Sequence, residues 1–186
     1  MKITIGFLIG MTCFLKSYGQ NTVNNIFDAG IEFQAYPTGL IPGVRLEKGF
    51  ASHHAAHLRL GYNWIRHGSL GKHDDERGDG YGFTLGYKYY FRPAFKGFFA
   101  GIRNDIWWNE IQWKNQLNSI MEEEGTTKIT VVQPTVEAGW LFPLGESWQF
   151  APSLAFGYEV NVKTEGSPTG EGAILLVGVV LGKRWK

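Results

Sequence analysis

The stretch Asp79-Gly-Tyr-Gly-Phe-Thr-Leu-Gly-Tyr-Lys-Tyr-Tyr-Phe-Arg-Pro93 separates into two unlike sets when alternate residues are taken apart. Tyr81, Phe83, Leu85, Tyr87, Tyr89 and Phe91 fall on one side; Gly82, Thr84, Gly86, Lys88, Tyr90 and Arg92 fall on the other. A helix would scatter those aromatics around its axis, so period-two alternation over this length specifies a β-strand. One face is uniformly large and apolar, and the other mixes glycine with cations. That contrast suits a strand with lipid on one side and a narrow polar lumen on the other.

The alternation recurs on both sides of this stretch. Strands are expected over 26–36, 42–50, 57–64, 98–108, 132–142, 148–161 and 173–185, which makes the opening stretch the fourth of eight. In the first, Phe27, Ile31 and Phe33 oppose Asp28, Glu32 and Gln34; in the seventh, Phe150, Leu154 and Phe156 oppose Gln149, Ala155 and Glu159. Pro134 and Pro152 stand where a ladder donor is required and proline has none, so each predicts a local bulge. The glycine-rich, acidic segment 68–80 and the polar segments 112–128 and 163–172 read as long loops, whereas 37–39, 52–56, 93–96 and 143–146 read as short turns.

An even number of antiparallel strands closes without an unpaired edge, which lipid demands because it offers the backbone no hydrogen bonds. The predicted fold class is therefore all-β: an eight-stranded antiparallel transmembrane β-barrel, connected as an up-and-down meander. Connections after strands two, four and six are short, and those after three, five and seven are long; only the first, at 37–39, breaks the rhythm by being short. Outer-membrane barrels have short periplasmic turns and long outer loops, so both chain ends are expected on the periplasmic side. The aromatics agree independently: Phe27, Phe91, Phe98, Phe142, Trp148 and Trp185 come out at one end, and Trp64, Tyr81, Trp108 and Tyr158 at the other. Two such girdles mark two membrane–water interfaces. A soluble barrel with its aromatics turned inward would put the glycines outside, where they fill no crowded space.

Residues 1–19 read as a cleaved signal peptide, with Lys2 as the positive start, an apolar run to Leu15 and small residues near Gly19. Residues 20–186 form the barrel domain. Cys13, the only cysteine, sits inside the signal behind Thr12, a poor match to a lipidation site, so the exported chain has no thiol and no disulfide. Removing Lys2 and Lys16 from the 18 basic residues leaves 16 against 17 acidic ones, and nothing in that balance suggests a nucleic acid partner.

The pattern over 25–186 resembles the small eight-stranded outer-membrane barrels of the OmpA, OmpX and OmpW type, in particular the barrel-only proteins of Bacteroidota. The resemblance implies a monomer in the outer membrane of a Gram-negative cell, in contact with outer-membrane lipids and lipopolysaccharide and inserted by the outer-membrane assembly machinery. That machinery reads a terminal aromatic residue; here Trp185 is followed by Lys186. The peptidoglycan-binding domain that OmpA carries after its barrel is not expected. Similar barrels include lipid A deacylases and acyltransferases, which keeps an enzyme, alongside a small pore, as the alternative to a non-enzymatic structural or surface-interaction role.

No catalytic, cofactor or metal residue is assigned from the sequence. His53, His54 and His57 have a spacing that imidazole metal sites can use, but they fall at a turn without a carboxylate or thiol. Asp74, Asp75, Glu76 and Asp79, and likewise Glu122 to Glu124, read as solvated acidic loops rather than cation sites. Arg77-Gly78-Asp79 matches an integrin-binding tripeptide in an expected outer loop, on three residues only. His67, Ser69 and His73 offer the residue types of an acyl-transfer site with nothing to hold them in place. Inward, Asp28, Glu32, Glu47, Asp105, Glu137 and Glu159 face Arg45, Arg59, Lys88, Arg92, Arg103 and Arg184, a balance that predicts a salt-bridged, largely closed polar lumen. Asp28 is expected to pair with Arg184 across the closing seam, and Arg103 with Glu137.

Overall fold

The computed structural model describes residues 26–68, 70, 72–93 and 95–185. The expected signal peptide with Cys13, as well as Ser69 and Lys186, lies outside the described residues. The strands are β1 (Phe27–Tyr36), β2 (Gly39–Gly49), β3 (His54–Gly68), β4 (Asp75–Arg92), β5 (Lys96–Asn115), β6 (Glu123–Leu144), β7 (Trp148–Glu165) and β8 (Gly172–Trp185). Each pairs antiparallel with its neighbours in chain order, and β8 returns to β1, so the sheet is a closed barrel. This is the fold class that the alternation predicts.

The faces also come out as predicted. Ile31, Val44, Leu60, Leu85, Ile102 and Phe156 are exposed on the outside, while Asp28, Glu32, Arg45, Arg59 and Lys88 are buried inside. Arg92 departs from this: it is exposed, because β4 has by then reached the turn at Pro93. Glu159 is half-buried. Rings on the outer surface form bands at both ends, as in Phe91–Phe98 at 5.1 Å between centroids and Tyr81–Trp108 at 5.7 Å. Inward glycines make room for large neighbours: a Cβ on Gly86 would stand 2.2 Å from the His57 ring, its cross-strand partner.

The prolines do not produce bulges. Asn104 stays paired with Pro134, and Val179 with Pro152, on the far side of each strand. Between β6 and β7 the ladder lapses beside both prolines and resumes in the same register, with Val132↔Val160 and Thr135↔Gly157 around the first and Gly139↔Ser153 and Phe142↔Phe150 around the second. Two missing donors thus fall into one inter-strand seam. The register shifts lie elsewhere, at Tyr90/Arg92 and Thr130/Val131.

The largest correction concerns the long loops. The expected loop 68–80 is strand up to Gly68 and again from Asp75, and 112–128 is strand to Asn115 and from Glu123. The strands therefore run past the second aromatic band, and there their polarity inverts: Ile111, Thr127 and Ile129 face inward and are buried, while Gln112, Thr126 and Lys128 face out and are exposed. Above the lipid, water is the outer solvent, so the ordinary arrangement of a soluble barrel takes over. The wall is uneven. β5 has 20 residues and β6 has 22, against 10 in β1 and 11 in β2.

Candidate functional site: the lumen and the loop-end cavity

Inside the barrel, side chains lie in layers whose order each strand repeats. On β5 the inward residues run Phe99, Arg103, Asp105, Trp107 and Ile111 from the end that carries the chain termini toward the loop end. Nearest the termini is an apolar cluster that includes Tyr90, Phe99, Leu141 and Val180. Phe95 joins it from the turn: its positive φ of 50° folds the side chain back into the barrel mouth, where it is 2% exposed. A residue read only as part of a short turn is therefore a stopper. The only sequence signal for it is Gly49, where a Cβ would stand 2.1 Å from the Phe95 ring.

A charged layer follows. Arg59 contacts Asp105 at 2.9 Å and Glu32 at 3.2 Å, and donates from Nε to Thr84 Oγ1 at 3.1 Å. Arg103 contacts the same two acids, Asp105 at 2.6 Å and Glu32 at 3.4 Å, and both guanidiniums also donate to Gln34. Arg45 lies between Glu32 and Glu47, at 3.8 and 3.5 Å, and Lys88 between Glu47 and Glu137, at 3.3 and 3.7 Å. Tyr90 donates its hydroxyl to Glu47 at 2.5 Å, and the Lys88 ammonium lies 4.4 Å from the centre of the Phe99 ring. Four acids thus interleave with four bases. The expected Arg103–Glu137 pair does not form, because the register puts Glu137 opposite Gly101 and Arg103 opposite Thr135. The expected Asp28–Arg184 pair does, at 2.9 Å and in register across the seam.

A second apolar layer caps the charges: Trp107, which lies 5.4 Å from the Arg59 guanidinium, with Ile41, Val131, Ala155 and Leu176. Beyond it, between the tall part of the wall and the β7–β8 connection, lies a cavity of about 300 Å³. Its walls include Tyr36, His67, Glu76, Glu159 and Glu171, over isoleucines at 65, 111, 129 and 174.

The histidine cluster does not converge. His53 reaches the Tyr90 carbonyl at 2.6 Å, His54 the Tyr87 hydroxyl on the outer surface at 2.6 Å, and His57 points into the lumen, 4.0 Å from Glu137. The acidic groups are likewise engaged separately. Asp74 accepts from the Gln116 backbone at 2.7 Å, Asp75 pairs with Arg77 at 2.9 Å, and Asp79 accepts from the Tyr62 hydroxyl at 2.5 Å. The Arg77-Gly78-Asp79 tripeptide accordingly lies in β4, not in a loop. Glu122 and Glu124 grip Lys114, each at 3.0 Å. The Lys114 ammonium holds the Glu122 carboxyl below its ordinary range, and Glu122 and Glu124 push Lys114 up.

Sequence reading missed one pair. His67 Nε2 lies 3.1 Å from Glu76 Oε2, with both side chains buried, so a carboxylate does hold His67. Among the described residues no hydroxyl completes a nucleophilic triad, since His67 Nδ1 has no hydrogen-bond partner. His73 is stacked on Trp113 at 4.2 Å and bonded to Asn115.

No protein-family model matches the chain, and no curated protein does. Solved structures do. The N-terminal β-barrel domain of Pseudomonas aeruginosa OprF is 15% identical, with a TM-score of 0.50 over 88% of this chain and 100% of that one. The fold is that of the small eight-stranded outer-membrane β-barrels. Ail of Yersinia pestis, in a crystal structure with the heparin analogue sucrose octasulfate, gives the same TM-score at 9% identity, over 87% of this chain and 97% of that one. At such identities the shared property is the outer-membrane-barrel fold, and the layered interior is described from this chain's own residues.

Proposed function

We propose that the protein is a non-enzymatic outer-membrane barrel with a lumen closed to solutes, which holds a rigid wall of strands above the cell surface for structural or surface-interaction purposes. The layered interior carries this reading. Unlike charges in a narrow space pair with one another instead of sustaining a water column, and the apolar layers above and below them exclude the water that a pore needs. The periplasmic side would be the end with the termini and the Phe95 stopper, and Trp185, packed on Phe27 at 5.9 Å, the signal read by the insertion machinery.

Lipopolysaccharide is the partner this geometry favours at the rim. Arg66 and Arg77 are direct cross-strand partners on the outer face, one outward step beyond Trp64. Like charges placed opposite each other repel; Asp75, 2.9 Å from Arg77, offsets that term at one of the two, and a headgroup phosphate held between them would offset it at both. Reconstitution of the purified protein in planar bilayers tests the central claim, with only small, intermittent conductance expected. Large, steady, unselective conductance would make it a porin, and a change in lipid A acylation on incubation with the protein would make it an enzyme.

A further inference from the structure

We infer that the outer surface of the barrel carries, at the end with the chain termini, a site for the phosphate of one anionic phospholipid, formed by Lys48 of β2 and Lys183 of β8. Between the two aromatic bands the outward faces of the eight strands carry no other lysine or arginine and no carboxylate. Neither lysine stands past the end of the apolar stripe. Lys48 lies between Leu46 and Phe50, and Lys183 between Leu181 and Trp185, and all four of these flanking side chains are exposed. Both cations adjoin β1, with Lys48 paired to Phe27 on one side of it and Lys183 to Ala29 on the other.

The pairing of charges supplies an independent indication. Beyond the opposite band the outward cations come with acids: Arg77 with Asp75, Lys128 with Glu110, Lys163 with Glu165, and Lys114 with Glu122 and Glu124. Among the described residues Lys48 has no ion-pair or hydrogen-bond partner, and Lys183 has only the Trp185 ring, 5.7 Å from its ammonium. The acids next to them face inward and are engaged there, Asp28 by Arg184 and Glu47 by Arg45 and Lys88. Two strand spacings separate the lysines, about 10 Å, which two flexible stems can close onto one phosphate above Ala29. Alanine at 29 and at 56, a cross-strand partner of each lysine, keeps the surface low beside both. An ammonium has three donors to place and hydrocarbon accepts none, so the acceptor is a lipid phosphate. A zwitterionic headgroup brings its own cation, whereas an anionic one leaves its charge for the protein. The lipid belongs to the periplasmic leaflet, which rests on the orientation proposed above.

The test is an NMR titration of the whole barrel in decyl maltoside micelles, which bring no phosphate, with dihexanoyl phosphatidylglycerol, dihexanoyl phosphatidylcholine or inorganic phosphate as probes. Saturable shifts are expected with phosphatidylglycerol at the Lys48 and Lys183 amides and the Trp185 indole, at least about tenfold weaker binding with phosphatidylcholine, and none with inorganic phosphate. A variant carrying Lys48→Gln and Lys183→Gln should lose the preference for phosphatidylglycerol, with an otherwise unchanged amide spectrum to report its fold. The inference is overturned by any of four results: equal binding of the two lipids, saturation by inorganic phosphate, shifts confined to Arg66 and Arg77, or an unchanged preference in the folded variant. If that variant does not fold, the comparison of the three probes on the unaltered protein still decides. Nuclear Overhauser contacts from Leu60 and Ile102 to the alkyl chains are read on the same sample. Their absence would sink the outer-membrane reading and the site with it; their presence without a lipid preference would sink the site alone.

Discussion

Asp28 and Arg184, 156 residues apart in the chain, are direct partners across the seam where β8 meets β1, joined by two contacts of 2.9 Å. Gln149 completes the arrangement, donating to Asp28 at 2.9 Å and accepting from Arg184 at 2.7 Å. Both charges are buried, so removing one strands the other. Asp28→Ala or Arg184→Ala should each cost on the order of 3–5 kcal/mol in a folding titration, and the double variant less than the sum. Additive losses would mean that the pair does not act as a unit.

Gly86 and His57 make a second coupled pair of opposite kind. The imidazole occupies the space a Cβ would take, and it is wedged 5% exposed in the lumen. Gly86→Ala should destabilise by about 1–3 kcal/mol through overpacking. Adding His57→Ala should recover part of that loss, measured in the same urea titration. A Gly86→Ala variant as stable as the parent would show that the ring has somewhere else to go.

The clasp of Glu122 and Glu124 on Lys114 sets a pH dependence for the β5–β6 connection. Glu122 is lowered from its ordinary 4.5 by the Lys114 ammonium, so its contribution is present above that value and is lost as pH falls through the lowered one. Lys114 is raised from 10.5, so its contribution holds below that value and is lost as pH rises through the raised one. Hydrogen exchange at residues 116–122, corrected for intrinsic rates, should therefore show constant protection between about pH 5 and 10 and a loss of protection on either side. Lys114→Met should remove this pattern.

Protease added to intact cells should cut the β5–β6 connection, 116–122, and should not reach the turn near Pro93. The extended strands on either side, 108–115 and 123–130, should resist, because their backbone is paired. Cleavage at the Pro93 turn in intact cells would invert the orientation.

The membrane-embedded half of the barrel was legible in the sequence because lipid imposes one rule on every strand, apolar out and polar in. The seam pair followed from closure alone, as both residues sit at the chain's two ends. Arg103 and Glu137 were less legible because their heights depend on stagger between strands, which alternation does not encode. Beyond the aromatic band the rule reverses, and segments such as Ile111–Lys114 and Thr126–Ile129 look like loops to a reader who expects grease on the outside. The cavity was hidden for the same reason: Glu159 lay in a predicted strand, but His67 and Glu76 come from upper reaches of β3 and β4 that did not read as strand. Phe95 was hidden because a backbone with positive φ, not the alternation, directs it inward.

The unequal wall also gives the loop end of the barrel a low flank and a high one. The β1–β2 hairpin ends at Pro37 and Thr38, both lining the cavity, and the Thr38 carbonyl accepts from the Arg66 backbone at 2.9 Å, just beyond Trp64. On this side the rim ends close to the outer aromatic band, while β5 and β6 rise behind it like the back of a chair. The loop end is therefore lopsided, and its paired backbone stands clear of the aromatic band on one flank only.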